Sequence, residues 1–415
     1  MKILVVSQYF WPENFRINDL VGEWCRRGHE VTVLTGYPNY PSGEIFPEFQ
    51  ADPGRYAAFG AAELVRVPLT PRGVGAIRLM LNYASFSVSA ALLGAWRLRG
   101  RAFDVIFVFE PSPITVGLPA VLLRRLKRAP LAFWVLDLWP ETLEAVGVVK
   151  SPAILKVVGG LVSFIYNRCD LVLAQSRSFI PAIRKYCRSY VRVEYFPSWS
   201  DSVFDFSSVE AAAEVPAGEQ LFNVMFAGNI GDAQDFPAIL YAAELLKGNK
   251  NIRWLIVGDG RAAEWVRTEV ARRGLSESVL MLGRYPVERM PSFYIHANAL
   301  LVSLKDTPIF AMTIPGKLQS YLASGIPVLA MLNGEGAEII EASRSGIACP
   351  AGDGKALAEA VTKMSKMSEK ELSEMGARAL ALCRSDFDRE TLIERLLTWF
   401  QGLVTGNPLK PEVRK

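Results

Sequence analysis

Asp137 stands directly behind an apolar run in Val135-Leu136-Asp137-Leu138-Trp139-Pro140-Glu141, where a carboxylate is unfavourable unless solvated or partnered. A carboxylate there suits a general base or a group that binds hydroxyls; the other reading is a cap for the helix after Pro140. Gln8-Tyr9-Phe10-Trp11-Pro12-Glu13-Asn14-Phe15-Arg16 follows the first apolar run and mixes aromatic with polar side chains. That mixture suits a surface turned to a ligand, or an ordinary loop with a Pro-defined turn. Phe109-Glu110-Pro111-Ser112-Pro113 ends a further apolar run and is less specific.

Two loops of the second half suit an anion. Ala227-Gly228-Asn229-Ile230-Gly231-Asp232-Ala233-Gln234 joins a strand to a helix. Glycine lets backbone approach a phosphate, and a helix start offers free N–H groups and a positive dipole end. Thr313-Ile314-Pro315-Gly316-Lys317 opens another helix, after a loop holding Lys305 and Asp306. Pro, Gly and Lys at a helix start make a second anion site, or a plain helix start. Val257-Gly258-Asp259-Gly260-Arg261-Ala262-Ala263 matches G-x-G-x-x-A. The next strand ends in Gly283-Arg284 with no acid for a ribose, so a nicotinamide cofactor is not expected.

Composition closes other routes. His29 and His296 are the two histidines, so a His-built metal centre is not expected, and no elbow motif gives either one a nucleophile. Cys25, Cys169, Cys187, Cys349 and Cys383 lack C-x-x-C spacing and read as small core residues in a reducing compartment. Lys plus Arg number 46 against 42 Asp plus Glu over 415 residues, too weak a bias to propose nucleic acid as a partner. With 50% hydrophobic residues the chain buries a sizeable core, which excludes disorder and a coiled coil.

The elements that position these groups alternate. Ile3–Ser7, Val31–Thr35, Glu63–Val67, Val105–Phe109, Leu131–Leu136 and Leu171–Ala174 read as buried strands, with helical patterns such as Arg16–Arg27, Ala76–Leu98 and Thr115–Leu126 between them. This predicts βαβ units around a parallel sheet. The pattern lapses near Ser198–Gln220 and restarts with Phe222–Ala227, Trp254–Val257, Val279–Leu282, Ala299–Ser303, Pro327–Ala330 and Gly346–Ala348. The expected fold is therefore α/β, with two doubly wound domains at 1–200 and 221–388, a linker at 201–220 and a last helical stretch, Arg389–Leu403, within 389–415. Ligands are expected at the carboxyl ends of the strands, in the crevice between the domains.

Met1–Ser7 reads as a strand, because its apolar run stops well short of the roughly 7–15 residues of a secretory signal; the expected place is the cytoplasm. Leu79–Trp96 tests that reading. It carries no charge over 18 residues and lies between Arg72 and Arg78 on one side and Arg97, Arg99 and Arg101 on the other. Its length is at the edge of the ~17–25 residues that cross a bilayer, and Asn82, Ser85, Ser87 and Ser89 dilute it. A buried helix, a helix touching a membrane surface and a true span all stay open.

Together these residues resemble a family 4 (group 1) glycosyltransferase of the GT-B fold. Within it they are similar to the L-fucosamine and fucosyl transferase group of bacterial O-antigen, capsule and colanic acid assembly. In the first half the resemblance rests on Tyr9-Phe10-Trp11-Pro12-Glu13, Arg27-Gly28-His29-Glu30-Val31-Thr32-Val33-Leu34-Thr35, Pro38-Asn39-Tyr40-Pro41 and Asp137-Leu138-Trp139-Pro140-Glu141. In the second it rests on Phe226-Ala227-Gly228-Asn229-Ile230-Gly231, Val257-Gly258-Asp259-Gly260, Thr313-Ile314-Pro315-Gly316-Lys317-Leu318 and Tyr321-Leu322-Ala323-Ser324-Gly325-Ile326-Pro327-Val328.

The resemblance implies two Rossmann-like domains facing a cleft, with the last helix crossing back to the first domain. It implies retaining transfer of a sugar from a nucleotide diphosphate, UDP being the expected one, without a required metal or cofactor. Gly228, Asn229, Gln234, Arg284, Thr313, Pro315, Gly316 and Ser320 would face the donor; Glu13, Asn14, Arg16 and Glu141 would face the acceptor. The basic residues clustered around Leu79–Trp96 add the expectation that this acceptor is a lipid-linked saccharide at the inner face of the cytoplasmic membrane. Asp137 would orient or deprotonate the acceptor hydroxyl.

The chain departs from the family where charges are expected. An Arg and a Lys five apart are replaced by Asn229 and Gln234, and two glutamates by Met312 and Ser320. Lys317 and Lys305 are the expected substitutes for the missing cations. A sugar-nucleotide epimerase of the same fold and a non-catalytic sugar-binding or scaffold subunit are the competing readings.

Overall fold

The computed structural model describes residues 1–73, 75–145, 149, 151–200, 209–218 and 221–406. Of the expected linker, residues 201–208 and 219–220 lie outside the described residues. The chain divides into two compact units, Met1–Phe196 with Ile393–Lys415, and Pro197–Leu392.

The first unit is built on eight strands: β1 (Lys2–Val6), β2 (Glu30–Gly36), β3 (Ala58–Phe59), β4 (Ala62–Val67), β5 (Val105–Glu110), β6 (Leu131–Val135), β7 (Leu171–Ala174) and β8 (Arg192–Tyr195). They lie in the order β3-β4-β2-β1-β5-β6-β7-β8, parallel except where β3 meets β4. Ile3–Val6, Val105–Val108 and Leu131–Val135 are all fully buried. Such runs of Val, Ile, Leu and Phe form strands because helices cover both faces of a parallel sheet.

Right-handed crossovers place the helices Ala76–Arg97, Gly117–Lys127 and Pro152–Tyr166 on one face, because each connection steps the same way along the sheet. Arg16–Arg26 steps the other way and covers the opposite face. The last helix, Arg389–Thr405, joins it there: the Phe400 ring lies 5.6 Å from that of Trp24 and 5.7 Å from that of Phe107.

The second unit has six parallel strands: β9 (Phe222–Ala227), β10 (Ile252–Val257), β11 (Val279–Gly283), β12 (Ala299–Ser303), β13 (Val328–Met331) and β14 (Gly346–Cys349), in the order β11-β10-β9-β12-β13-β14. The described part of the linker packs on this unit, where Arg289 pairs with Glu214 at 2.9 Å and Arg253 donates to the Pro216 carbonyl at 2.7 Å.

In each sheet the strand order reverses once, between β1 and β5 and between β9 and β12. Connections leave to opposite faces at that point and open a crevice at the strands' carboxyl ends. The loops after these strands are the ones that carry the chemistry-bearing residues.

Candidate active site

In the second unit, β9 and β10 run into Gly228 and Gly258. Gly228 N–H donates to the Val257 carbonyl at 2.8 Å, and Ile230 N–H to the Asp259 carbonyl at 2.8 Å, so the two loops lie on each other. Side chains have no room. A Cβ on Gly258 would sit 1.9 Å from the Gly228 oxygen, and one on Gly228 would sit 2.5 Å from Lys317 Cε.

Lys317 therefore lies along the Gly228 loop although it comes 89 positions later in the chain. Tyr321, one turn later on the helix Gly316–Ser324, fixes this. Its hydroxyl donates to the Ala227 carbonyl and accepts from the Ala227 N–H, both at 3.0 Å. Lys317 Nζ rests 3.6 Å from the centre of the Phe226 ring and is buried with no hydrogen-bond partner. Burial draws its pKa down to about 7. A buried cation with no counter-charge, beside a helix start that no side chain caps, is a ready place for an anion.

The rest of the donor set is distributed around this point. Gln234 is engaged within its loop: its side-chain oxygen accepts from Gly231 N–H at 3.1 Å and its carbonyl from Ser303 Oγ at 2.7 Å. Lys305 reaches the same loop, its backbone N–H donating to Ala233 at 2.9 Å and its Nζ lying 4.0 Å from Asp232. Asn229 packs against Gly260 and Gly231. Pro315 is the N-cap and Gly316 the exposed first residue of the helix that carries Lys317 and Ser320. Thr313 closes the preceding helix, its hydroxyl donating to the Ile309 carbonyl at 2.8 Å. Arg284 is exposed behind β11, two strands away from β9.

In the first unit, Asp137 follows β6. It accepts from Thr142 Oγ1 at 2.5 Å and from Trp139 Nε1 at 3.1 Å, and the Ser112 hydroxyl also lies against it. These donors are side chains rather than helix N–H groups, and burial raises the carboxyl's pKa. Glu110, at the end of the neighbouring β5, is fully buried, with the backbone N–H groups of Leu136 and Asp137 as its nearest donors. Burial, then the charge of Asp137, pushes its pKa well up, which favours the neutral acid. Between them Ser112 holds φ at 140°, which L residues rarely adopt and which functional sites often retain.

Glu13 works on backbone. Its carboxylate accepts from the N–H groups of Asn39 (2.8 Å), Tyr40 (2.7 Å) and Phe10 (3.1 Å), tying the loop after β1 to the loop after β2. Burial raises it to about 7 despite those bonds. Asn14 is exposed beside it, and Arg16 opens the helix Arg16–Arg26. Glu141 opens the helix Glu141–Ala145 and accepts weakly from the Tyr186 hydroxyl at 3.4 Å.

Two residues here are not among the expected site residues, Arg72 having been read only as a basic flank of Leu79–Trp96. Arg72 lies 5.3 Å over the Tyr40 ring and 3.4 Å from the Tyr9 hydroxyl, and Tyr83 contacts Ser112. Tyr9 and Phe15 stack at 5.3 Å, which completes an aromatic wall beside Asp137's loop. The cluster of aromatics in Gln8–Arg16 was the one signal for it.

A profile described as the glycosyl transferase 4-like domain matches residues 14–199, and one described as glycosyl transferases group 1 matches residues 222–366. The chain belongs to the group 1 glycosyltransferases. It is an enzyme of that class. It is 25% identical over 341 residues to the WcaI protein of Escherichia coli K12, named for colanic acid biosynthesis glycosyl transfer, covering 78% of this chain and 82% of that one. WcaL of the same organism is 28% identical over 167 residues, 40% of this chain and 41% of its own length. HepE of Anabaena, solved with UDP and glucose, superposes with a TM-score of 0.66 at 14% identity over 96% of this chain and 98% of that one. Sucrose-phosphate synthase from Thermosynechococcus elongatus gives 0.72 at 15% identity, over 98% and 99%. These likenesses establish the GT-B fold.

Proposed function

We propose that this glycosyltransferase moves a sugar from UDP to a lipid-linked saccharide, with retention at the anomeric carbon, at the inner face of the cytoplasmic membrane. The second unit takes the donor and the first the acceptor. The observation that carries the reading is Lys317, a buried ammonium beside a glycine loop and a bare helix start.

A diphosphate carries about two negative charges, whereas each helix start offers only ~0.5 of a positive one. Lys317, with Lys305 at the rim, supplies the difference, and stabilises the charge that grows on the departing diphosphate. Gly228, Asn229, Gln234, Pro315 and Gly316 shape the diphosphate cradle, while Ser320, one turn beyond Gly316, faces the ribose. Thr313 and Arg284 belong to its margins. Asp137 receives the acceptor hydroxyl through a hydrogen bond, and the departing phosphate oxygen takes that hydroxyl's proton. Glu13 holds the acceptor loop in shape, with Asn14, Arg16 and Glu141 at its edge. HepE, solved with UDP and glucose, supports the choice of nucleotide; the colanic acid relative supports a polysaccharide intermediate as acceptor.

Lys317→Ala tests the reading. It should lower kcat/KM about tenfold or more, ~1.4 kcal/mol. In the intact protein, UDP affinity should fall as pH rises through about 7, where the free enzyme's lysine loses its charge, by at most tenfold per unit. A change under twofold in both experiments sinks the cradle. Labelled sugar nucleotides separate the other readings: an epimerase returns the epimer without acceptor, and a scaffold returns nothing.

A further inference from the structure

We infer that the helices Ala76–Arg97, Gly117–Lys127 and Pro152–Tyr166 form one surface by which the first unit lies in plane on an anionic bilayer. The inference rests on the reading above only for what that bilayer carries. Its own basis is the way the helices are turned.

Ala76–Arg97 is inside out. Ile77, Leu81, Val88, Leu92 and Trp96 recur four or seven residues apart and form one outward stripe, with Met80 beside it. Ile77 is 76% and Leu92 66% exposed. The inward stripe reads Asn82, Phe86, Ala90 and Gly94, with one large apolar side chain in four positions. A helix on a water-facing surface shows the opposite pattern. Scattered exposed leucines need no explanation, but a continuous stripe does. The neighbouring helices extend it, with Leu122 and Leu126 on the second and Ile154, Val157 and Phe164 on the third, all exposed.

Charge selects the occupant. The three helices contain no Asp or Glu, while Arg78, Arg97, Arg125 and Lys156 lie on them; Arg124 is paired with Asp170 at 2.7 Å, and Lys127 donates to the Leu98 and Arg101 carbonyls. Arg99 lies 4.6 Å over the Trp96 ring just past the first helix's end. An amphipathic aromatic and arginines at the margin of an apolar stripe fit the headgroup level of a bilayer. The opposite face of the same sheet has no such bias, since its helices carry Asp19, Glu23, Glu390 and Glu394. Each free cation near an anionic surface adds ~1 kcal/mol, and the apolar stripe adds its burial.

Ala76–Arg97 is long and apolar enough to cross a membrane, yet its inner face is committed to the protein. Asn82 is fully buried, accepting from Gln8 Nε2 at 2.6 Å and donating to the Thr70 carbonyl at 2.7 Å. Ser87 Oγ donates to the Thr115 carbonyl at 3.0 Å, and Gly94 abuts Leu34. A span would strip these bonds and leave the asparagine in hydrocarbon. Lying in the interface keeps every one.

Flotation of the full chain tests this on vesicles of phosphatidylethanolamine with phosphatidylglycerol, against phosphatidylcholine alone. The wild type should float with the anionic vesicles at low salt and less so at high salt. Leu81→Glu with Leu92→Glu should reduce flotation at least tenfold, with UDP titration unchanged. If those substitutions unfold the protein, Arg78→Glu with Arg99→Glu serves instead and should lower flotation several-fold. No flotation of the wild type at low salt, or a variant that floats as well as the wild type, overturns the surface. A dimer broken by the variant, with no flotation, assigns the face to a second copy instead. UDP binding is read without vesicles, so failure of the donor reading shows separately.

Discussion

Around Gly228 the second unit brings backbone to its ligand loop, whereas around Asp137 the first unit brings side chains. The proposed donor cradle is two glycine loops laid on each other, a bare helix start and one lysine held by Tyr321. The proposed acceptor side is a set of buried acids, hydroxyls and aromatic rings: Asp137, Glu110, Ser112, Tyr83 and Tyr9. The difference fits the ligands proposed for the two sides. A diphosphate is common to every donor and is met by fixed N–H groups and one charge. A sugar hydroxyl has to be oriented and is met by groups that accept its proton in a hydrogen bond.

Breaking the backbone side should have the largest effect. Gly258→Ala would place a methyl group 1.9 Å from the Gly228 oxygen, at a φ of 145° that suits glycine alone. Neither loop can yield, because each is held by the other's carbonyl. Loss of UDP binding below detection is expected, with a fall of ~3 kcal/mol or more in stability. Retained UDP binding, by calorimetry, would mean that the loops do not form the cradle.

On the side-chain face the effects should separate by protonation state. Asp137→Asn keeps the shape and removes the charge, so kcat should drop about 10²-fold while UDP binding stays unchanged. Glu110→Gln mimics the neutral acid that burial favours, so kcat should stay within about threefold and stability within ~1 kcal/mol. Single-turnover rates and urea melts of both variants give the contrast. Equal losses would show that Glu110 is ionised and shares the work of Asp137.

How far each side was legible in the sequence follows the same line. Backbone features announce themselves through glycine and proline, so the Gly228 and Pro315 loops could be read directly. The buried strands were equally plain, except for two. β3 is two residues long, and β8, Arg192–Tyr195, interrupts its apolar pattern with Arg192 and Glu194, which pair with each other at 2.9 Å. Contacts between distant residues were not legible. Lys317 reaches Gly228 through the Tyr321 bond to Ala227, and Glu13 is committed to the N–H groups of a loop 26 residues on. The helix Ala76–Arg97 was visible as a helix, but its inverted orientation depends on the partners of Asn82, which lie on other loops. Glu110 looked weak because one acid at a strand end says nothing of whether a second will lie beside it.

The smallest effect sharpens the donor side. Ser320 occupies the place where relatives are expected to carry a glutamate, on the helix that carries Gly316 and Lys317. Residues three and four apart share a helix face, so Ser320 lies on the face of Lys317 and Gly316. A carboxylate–hydroxyl hydrogen bond is worth ~1.5–3 kcal/mol and a neutral one ~0.5–1.5. Ser320→Glu should therefore tighten UDP binding several-fold and leave turnover measurable. The gain is limited because the new carboxylate sits one turn from Lys317 and competes with the diphosphate for it. Titrating UDP into both proteins separates the two contributions. A gain that persists above pH 8, where Lys317 of the free protein is neutral, belongs to the ribose bond. If the glutamate protein binds no better at any pH while still folded, the ribose lies on another element and Ser320 is outside the cradle.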